Sequence, residues 1–155
     1  MAYAFAKCFE WFCSNRSELE SRWLGLRKKL LDSLEDVEHC FVLGTPDESL
    51  PNTLNIGFQE ISAESLLICL DIDGIAVSSG SACSSGAMEA SHVLLAMGYS
   101  HEQAKSSLRI SMGWNTSEED IEELSRQLIH HVKRLTPISG KSDSNIQIPE
   151  PVTEI

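Results

Sequence analysis

Apolar residues recur at steps of three, four or seven positions from Phe5 to Leu34. This spacing places them on one stripe of a helix. The capping-box spacing of Ser17 and Glu20 leaves a break into two helices open, but we expect one helix of about 45 Å, longer than a compact domain of this size needs. The excess length predicts a neighbour that covers part of the helix. The stripe comprises Phe5, Phe9, Phe12, Leu19, Trp23, Leu26, Leu30 and Leu34.

Shorter apolar runs bounded by turn residues follow this helix and predict a small sheet. The element order favours an α/β or α+β fold with helices packed on short strands, and leaves parallel or antiparallel pairing open. We expect a folded domain over residues 1–135 and, because periodicity is lost, a disordered tail over 136–155. The expected strands are 40–43, 53–58, 75–77 and 108–112, and the expected helices start at Ser62, near Val93, at Ser100 and at a capping box of Thr116 and Glu119.

The charge balance narrows the class of partner. The chain has 155 residues, with 12 Lys and Arg against 23 Asp and Glu, and a formal net charge of -11. Such a surface repels phosphate backbones, so nucleic acid is not expected as a partner. No apolar run approaches the roughly 20 residues that span a bilayer, and no secretory leader opens the sequence, so we expect a cytoplasmic protein without membrane contact.

One of the five cysteines stands apart from the others. Their odd number, without a C-x-x-C pair, supports neither a disulfide framework nor a metal site. Cys83 lies in a run of small residues, 78–87, which predicts a mobile loop with no large side chain to bury the thiol. An exposed thiol suits a nucleophile or sulfur carrier. The residues alone leave open whether Cys83 has this role or a structural one. The others are expected to be small buried apolar residues: Cys8, Cys13, Cys40 and Cys69.

Arg109 is a candidate binding residue on the strand predicted over 108–112. The alternation places Arg109 on the face opposite the apolar one. On such a face an arginine is either a solvated charge or weak ion pair, or a bidentate clamp for a carboxylate. The pattern alone leaves both readings open. No catalytic role is expected for the histidines singled out: His39, His92, His130 and His131.

Four segments together resemble one known family. Residues 76–86, which contain Cys83, are similar to the active-site loop of cysteine desulfurases of the NifS/IscS-like group, and the resemblance covers roughly residues 2–135. Cysteine desulfurases belong to the class V aminotransferase group of fold type I pyridoxal-phosphate enzymes. The remaining similar segments are 50–55, 107–113 and 116–121.

The resemblance implies conversion of L-cysteine to L-alanine, with the sulfur left on Cys83 as a persulfide. It implies that Arg109 binds the α-carboxylate of the substrate and that an acceptor protein receives the sulfur for iron–sulfur cluster or thio-cofactor synthesis. It also implies a homodimer.

The cofactor domain of that family has no counterpart in this sequence. Pyridoxal phosphate is implied for the complete enzyme, but no lysine here matches the family's cofactor lysine. The sequence therefore resembles the C-terminal small domain alone. We expect it to come from a truncated reading frame, a split protein or an expressed domain. We expect it to be inactive unless the cofactor domain comes from the same gene or in trans. The alternatives are a stand-alone persulfide carrier and an inactive remnant.

Overall fold

A single long helix, α1 (Ala2–Leu34), opens the chain in the computed structural model, which describes residues 1–45, 49–79 and 90–136. This confirms the expectation of one helix, because Ser17 lies inside α1. Only the second half of the stripe is buried, from Leu19 to Leu34. The first half projects by about 25 Å and leaves Phe5 and Phe9 exposed.

Four short strands form one sheet in the order β1-β2-β4-β3 within the described part of the chain. Every neighbouring pair is antiparallel, which settles the direction that the sequence left open. The sheet is therefore the small sheet of short strands that the element order predicts. The strands are β1 (Cys40–Leu43), β2 (Thr53–Phe58), β3 (Ser78–Ser79) and β4 (Ser107–Ser111).

Helices cover both faces of this sheet. On one face, α1, α2 (Ala63–Ile72) and α5 (Glu118–Leu135) enclose the main core around Ile56 and Leu108, both fully buried. The other face carries a smaller cluster of Leu43 with α3 (His92–Ala96) and α4 (His101–Lys105). Side chains alternate between faces along each strand, so β4 sends its polar residues away from the main core.

The strand predicted over 75–77 is wrong, because β3 consists of Ser78 and Ser79 instead. The backbone N–H of Ile75 donates to the Leu70 carbonyl at 2.8 Å, and that of Gly74, at φ 79°, donates to Asp71. These two bonds close α2 in a Schellman motif. The Ile75 donor is therefore occupied by the end of the helix and does not join the sheet.

The predicted cap of the last helix is wrong by one residue. Ser117, not Thr116, is the N-cap of α5: its hydroxyl accepts from the Asp120 N–H at 3.1 Å, and the Asp120 carboxylate accepts from the Ser117 N–H at 2.8 Å. The hydroxyl of Thr116 instead accepts a hydrogen bond from the Gly113 N–H. Thr116 therefore stabilises the turn before the helix.

Two of the four cysteines expected to be buried are exposed. Cys8 and Cys13 lie on the projecting half of α1, where the apolar stripe has no neighbour to cover it, so the expectation is wrong for both. Cys40 and Cys69 are half-buried. Most of the predicted loop 78–87 and nearly all of the predicted tail 136–155 lie outside the described residues.

Candidate functional site

Arg109 lies at the centre of β4 with its side chain exposed. Its neighbours Leu108 and Ile110 are buried in the main core, so the guanidinium points from the opposite face of the sheet. The predicted alternation of this strand is thus confirmed.

Two polar residues flank Arg109 on the neighbouring strands. Ser78 of β3 and Asn55 of β2 are its direct cross-strand partners, so all three side chains share one face. The Arg109 Nη2 atom is 3.5 Å from the Ser78 hydroxyl, which itself donates to the Ser79 carbonyl. Sequence reasoning missed this grouping, because it depends on strand order and register.

No carboxylate pairs with Arg109 among the described residues, whereas other arginines of the chain do form ion pairs. An exposed guanidinium without a protein anion retains its fork of N–H donors for an outside ligand. Carboxylates match that fork with two parallel hydrogen bonds. This face of the sheet can therefore bind a small carboxylate.

Cys83, the predicted nucleophile, lies outside the described residues. Cys83 follows β3 closely in the sequence: Ser79, the end of β3, is the last described residue before the gap, and Cys83 is four positions further along. The position of its thiol relative to Arg109 therefore remains a sequence-based prediction.

Side chains from α1 and from the segment before β2 hold the loops at one end of the sheet. The Trp23 indole donates to the Gly113 carbonyl at 2.9 Å, just after β4. Arg27 is buried and donates to the Leu50 carbonyl at 3.3 Å, ahead of β2. Asn52 links the two loops by donating to the Met112 carbonyl. These bonds fix the ends of β2 and β4, the strands that carry Asn55 and Arg109.

His131 has a partner that the sequence did not reveal. Its Nε2 atom is 2.5 Å from an Asp73 carboxylate oxygen, and the imidazole is buried between α5 and the end of α2. The two residues are 58 positions apart, so spacing gave no signal for the pair. The pair lies among the helices, on the other side of the sheet from Arg109, and joins α2 to α5.

The described lysines do not fit a covalent pyridoxal-phosphate site. They lie on helices rather than on the sheet, and Lys7 and Lys28 pair with acidic neighbours on α1. Lys29 donates to Glu118 and Glu122 at 2.7 Å each, and these bonds raise its pKa above the usual value. A lysine that forms a Schiff base must lose its proton, and these contacts oppose that loss.

Metal binding and membrane insertion find no support in the described residues. No group of three or more His, Cys, Asp and Glu side chains in this part of the chain is arranged to hold a metal ion. No helix there combines the length and the apolar character needed to cross a membrane.

Comparison with known proteins identifies the family of the chain. Residues 1–124 match the aminotransferase class-V family. The chain is 36% identical over 135 residues to the protein named cysteine desulfurase IscS 1 of Archaeoglobus fulgidus, and 42% identical over 127 residues to cysteine desulfurase NifS of Azotobacter vinelandii. These alignments cover 87% and 81% of this chain.

A solved structure described as a NifS-like protein superimposes with a TM-score of 0.73 at 28% identity, over 84% of this chain and 32% of that one. The chain spans about a third of the length of the relatives it matches, 35% and 32% for the two curated proteins. The predicted fold class and the resemblance to NifS/IscS-like cysteine desulfurases are both confirmed. The chain therefore belongs to the class-V aminotransferase family.

Proposed function

We propose that this chain is the small domain of a cysteine desulfurase, which binds the carboxylate of L-cysteine through Arg109 and receives its sulfur on Cys83. The observation that carries the proposal is the exposed Arg109 guanidinium, which has no ion pair within the described residues and faces Ser78 on the strand leading to Cys83. The relatives named cysteine desulfurases supply the substrate class.

The short length of chain between Ser79 and Cys83 supports a shared site for Arg109 and Cys83. Cys83 is four positions beyond Ser79, and a connection of that length spans at most about 14 Å. Ser79 belongs to the strand that pairs with β4, next to the residue opposite Arg109. A thiol on this tether can reach a small amino acid whose carboxylate is held by the guanidinium.

The chemistry assigned to Cys83 is nucleophilic attack by its thiolate on the sulfur of the substrate. A sulfur–sulfur bond forms, the bond between the substrate's sulfur and β-carbon breaks, and its electron pair remains on that carbon, which takes up a proton to give L-alanine. Cys83 is left as a persulfide. An acceptor protein then takes the terminal sulfur for iron–sulfur cluster or thio-cofactor synthesis.

The contacts of the described lysines do not suit a Schiff base with pyridoxal phosphate, the cofactor of the family. The cofactor would then be bound by the part of the enzyme that corresponds to the other two thirds of the relatives' length. Arg109 contributes the carboxylate clamp and Cys83 the nucleophile.

A chimaera tests the proposal directly. Residues 1–135 of this chain replace the 135 matched residues of the Archaeoglobus protein, and cofactor absorbance and alanine formation from L-cysteine are measured. We expect alanine formation and a persulfide on Cys83, detected by mass spectrometry. Cys83→Ala abolishes both, whereas the matched control Cys13→Ser, an exposed cysteine on α1, leaves both unchanged.

Two results would contradict the proposal. A chimaera that binds the cofactor but forms no alanine would exclude the desulfurase role of this segment. Continued alanine formation by the Cys83→Ala variant would exclude Cys83 as the sulfur acceptor.

A further inference from the structure

Asn55 borders Arg109 on the side opposite Ser78. The two residues are direct cross-strand partners in the antiparallel β2–β4 pair, and this position brings their Cβ atoms to about 4.5–5.5 Å from each other. Leu54 and Ile56, on either side of Asn55 along β2, are buried in the main core. The Asn55 carboxamide therefore lies on the same face of the sheet as the guanidinium.

The carboxamide of Asn55 forms no hydrogen bond with another residue in the described part of the chain, although Asn55 is half-buried. Other amide side chains of the chain do have partners: Asn52 donates to the Met112 carbonyl, and Gln127 donates to the Glu123 carboxylate. An amide carries two N–H donors and an oxygen acceptor. All of these groups of Asn55 are available to a ligand.

Ser78, on the other side of Arg109, has no donor to offer a ligand. Its hydroxyl donates to the Ser79 carbonyl at 3.0 Å. A hydroxyl has a single hydrogen, so the Ser78 oxygen can only accept further bonds. Of the two cross-strand neighbours of Arg109, Asn55 is therefore the one that can donate to a molecule bound at the guanidinium.

The remaining neighbour of Asn55 cannot engage its amide. Leu43 is its cross-strand partner on β1, is 3% exposed, and packs with Leu94 and Ala104 in the smaller cluster. An apolar side chain offers no hydrogen bond. Arg109 is the polar partner across the strands, so a group bound at Arg109 is also within the neighbourhood of the Asn55 amide.

A neutral donor beside an arginine suits a carboxylate. The guanidinium fork takes two of the roughly four lone-pair positions of a carboxylate, and others remain open. Asparagine can fill one of them without competing for Arg109. Aspartate, which has the same shape, would pair with the guanidinium itself and exclude the ligand.

We infer that Asn55 is a further binding and specificity residue of this site: its Nδ2 group donates to an oxygen of the carboxylate held by Arg109. In a carboxamide, an NH2 group replaces one oxygen and sets donor against donor. Asn55 together with Arg109 thus selects a carboxylate over the corresponding amide, because mismatched polar groups weaken binding. The inference rests on the proposed function for the identity of the substrate, L-cysteine.

Kinetics of the chimaera described above give the first test. Asn55→Ala is expected to lower kcat/KM for L-cysteine about 10-fold, mainly through a higher KM, because a hydrogen bond to a charged group is lost. Asn55→Asp is expected to lower kcat/KM at least as much, while its urea midpoint does not fall, since the new carboxylate pairs with Arg109 across the strands. A merely structural role would lower the urea midpoint in both variants and spare KM.

The matched control is Gln127→Glu. It makes the same amide-to-carboxylate change at a half-buried residue of α5, among the helices on the other side of the sheet. We expect kcat/KM for L-cysteine to remain unchanged in this variant.

A second measurement needs neither cofactor nor turnover. L-Alanine, which carries the same α-carboxylate without a thiol, is titrated into the isotopically labelled full chain. The side-chain amide of Asn55 and the Nε–H of Arg109 are followed by NMR. Both signals are expected to shift along one binding curve. L-Alaninamide at the same ionic strength is expected to shift neither.

An unchanged kcat/KM in Asn55→Ala, or a shift of the Arg109 signal without one of Asn55, would overturn the inference. Equal responses to L-alanine and L-alaninamide would overturn it as well, as would the absence of any shift up to about 200 mM L-alanine, which covers millimolar dissociation constants. A chimaera that forms no alanine contradicts the proposed function instead, and the titration of the full chain then decides the role of Asn55.

Discussion

Arg109 and Ser78 lie directly opposite each other in the antiparallel β3–β4 pair, with the guanidinium Nη2 atom 3.5 Å from the serine hydroxyl. Both side chains face away from the main core. The serine is too far away and too weak a partner to occupy the guanidinium, so the sheet positions the Arg109 side chain while its donors remain available.

Arg109→Ala is expected to lower kcat/KM for L-cysteine in the chimaera by roughly 10- to 100-fold, because hydrogen bonds between charged groups contribute about 1.5–3 kcal/mol. The free energy of unfolding should change by less than about 0.5 kcal/mol, since the side chain is exposed and makes no ion pair among the described residues. Steady-state kinetics and urea denaturation provide the two readouts.

Two matched variants make this prediction specific. Arg109→Lys keeps the charge but loses the bidentate fork, and should recover only part of the activity. Arg126→Ala removes an exposed arginine on α5 that pairs with Glu123, and should leave kcat/KM unchanged. Equal losses in the two alanine variants would contradict a binding role for Arg109.

Gly57→Ala is expected to destabilise the fold by about 1–3 kcal/mol. A Cβ atom at Gly57 would lie 2.2 Å from Cζ of Phe41, whose ring lies across the glycine on the neighbouring strand. The penalty should largely disappear in a Phe41→Ala background, which a double-mutant cycle of urea midpoints measures. Gly25→Ala on α1, where no atom lies within 4 Å of the new Cβ, should instead stabilise by about 0.5–1 kcal/mol.

Ser117→Ala is expected to destabilise the fold by about 1 kcal/mol, because it leaves the Asp120 N–H at the start of α5 without its acceptor. Ser117→Asp should retain most of the stability, since aspartate is an equally good N-cap. Thermal denaturation of the two variants checks the assignment. An unchanged melting temperature for Ser117→Ala would show that the helix does not depend on this cap.

The local elements could be predicted from sequence where one physical signal dominated. The strands 40–43 and 53–58 have the predicted bounds because turn residues flank both apolar runs. The signal was ambiguous at Thr116 and Ser117, which are neighbouring hydroxyl residues each followed three positions later by an acidic side chain. The choice between them depends on the Gly113 turn, which engages the Thr116 hydroxyl.

The candidate site could be predicted only in part, because its residues meet through long-range pairing. The alternation around Arg109 correctly placed its side chain on the polar face, but Ser78 and Asn55 join it through strand order and register. The pairing of His131 with Asp73 likewise depends on how α5 packs against α2. Local patterns carry no information about such packing.

Cys40 provides a pH-dependent prediction. Burial raises the pKa of its thiol from 9.0 to about 11. At pH 8 its thiolate fraction is about 100-fold below that of an ordinary exposed thiol, so alkylation by iodoacetamide should be slower by about that factor. The exposed Cys13 serves as the internal reference when both rates are followed by mass spectrometry. Equal rates for the two cysteines would contradict the burial argument.

The same shift links Cys40 to stability at alkaline pH. Because the pKa is higher in the folded state than in the unfolded state, the neutral thiol stabilises the fold below about pH 9, and this contribution is lost as the pH rises through about 11. The urea midpoint of the wild type should therefore fall over this range by more than that of Cys40→Val, which keeps an apolar side chain of similar size and has no proton to lose. Parallel pH profiles for the two proteins would show that the thiol of Cys40 does not titrate as its burial requires.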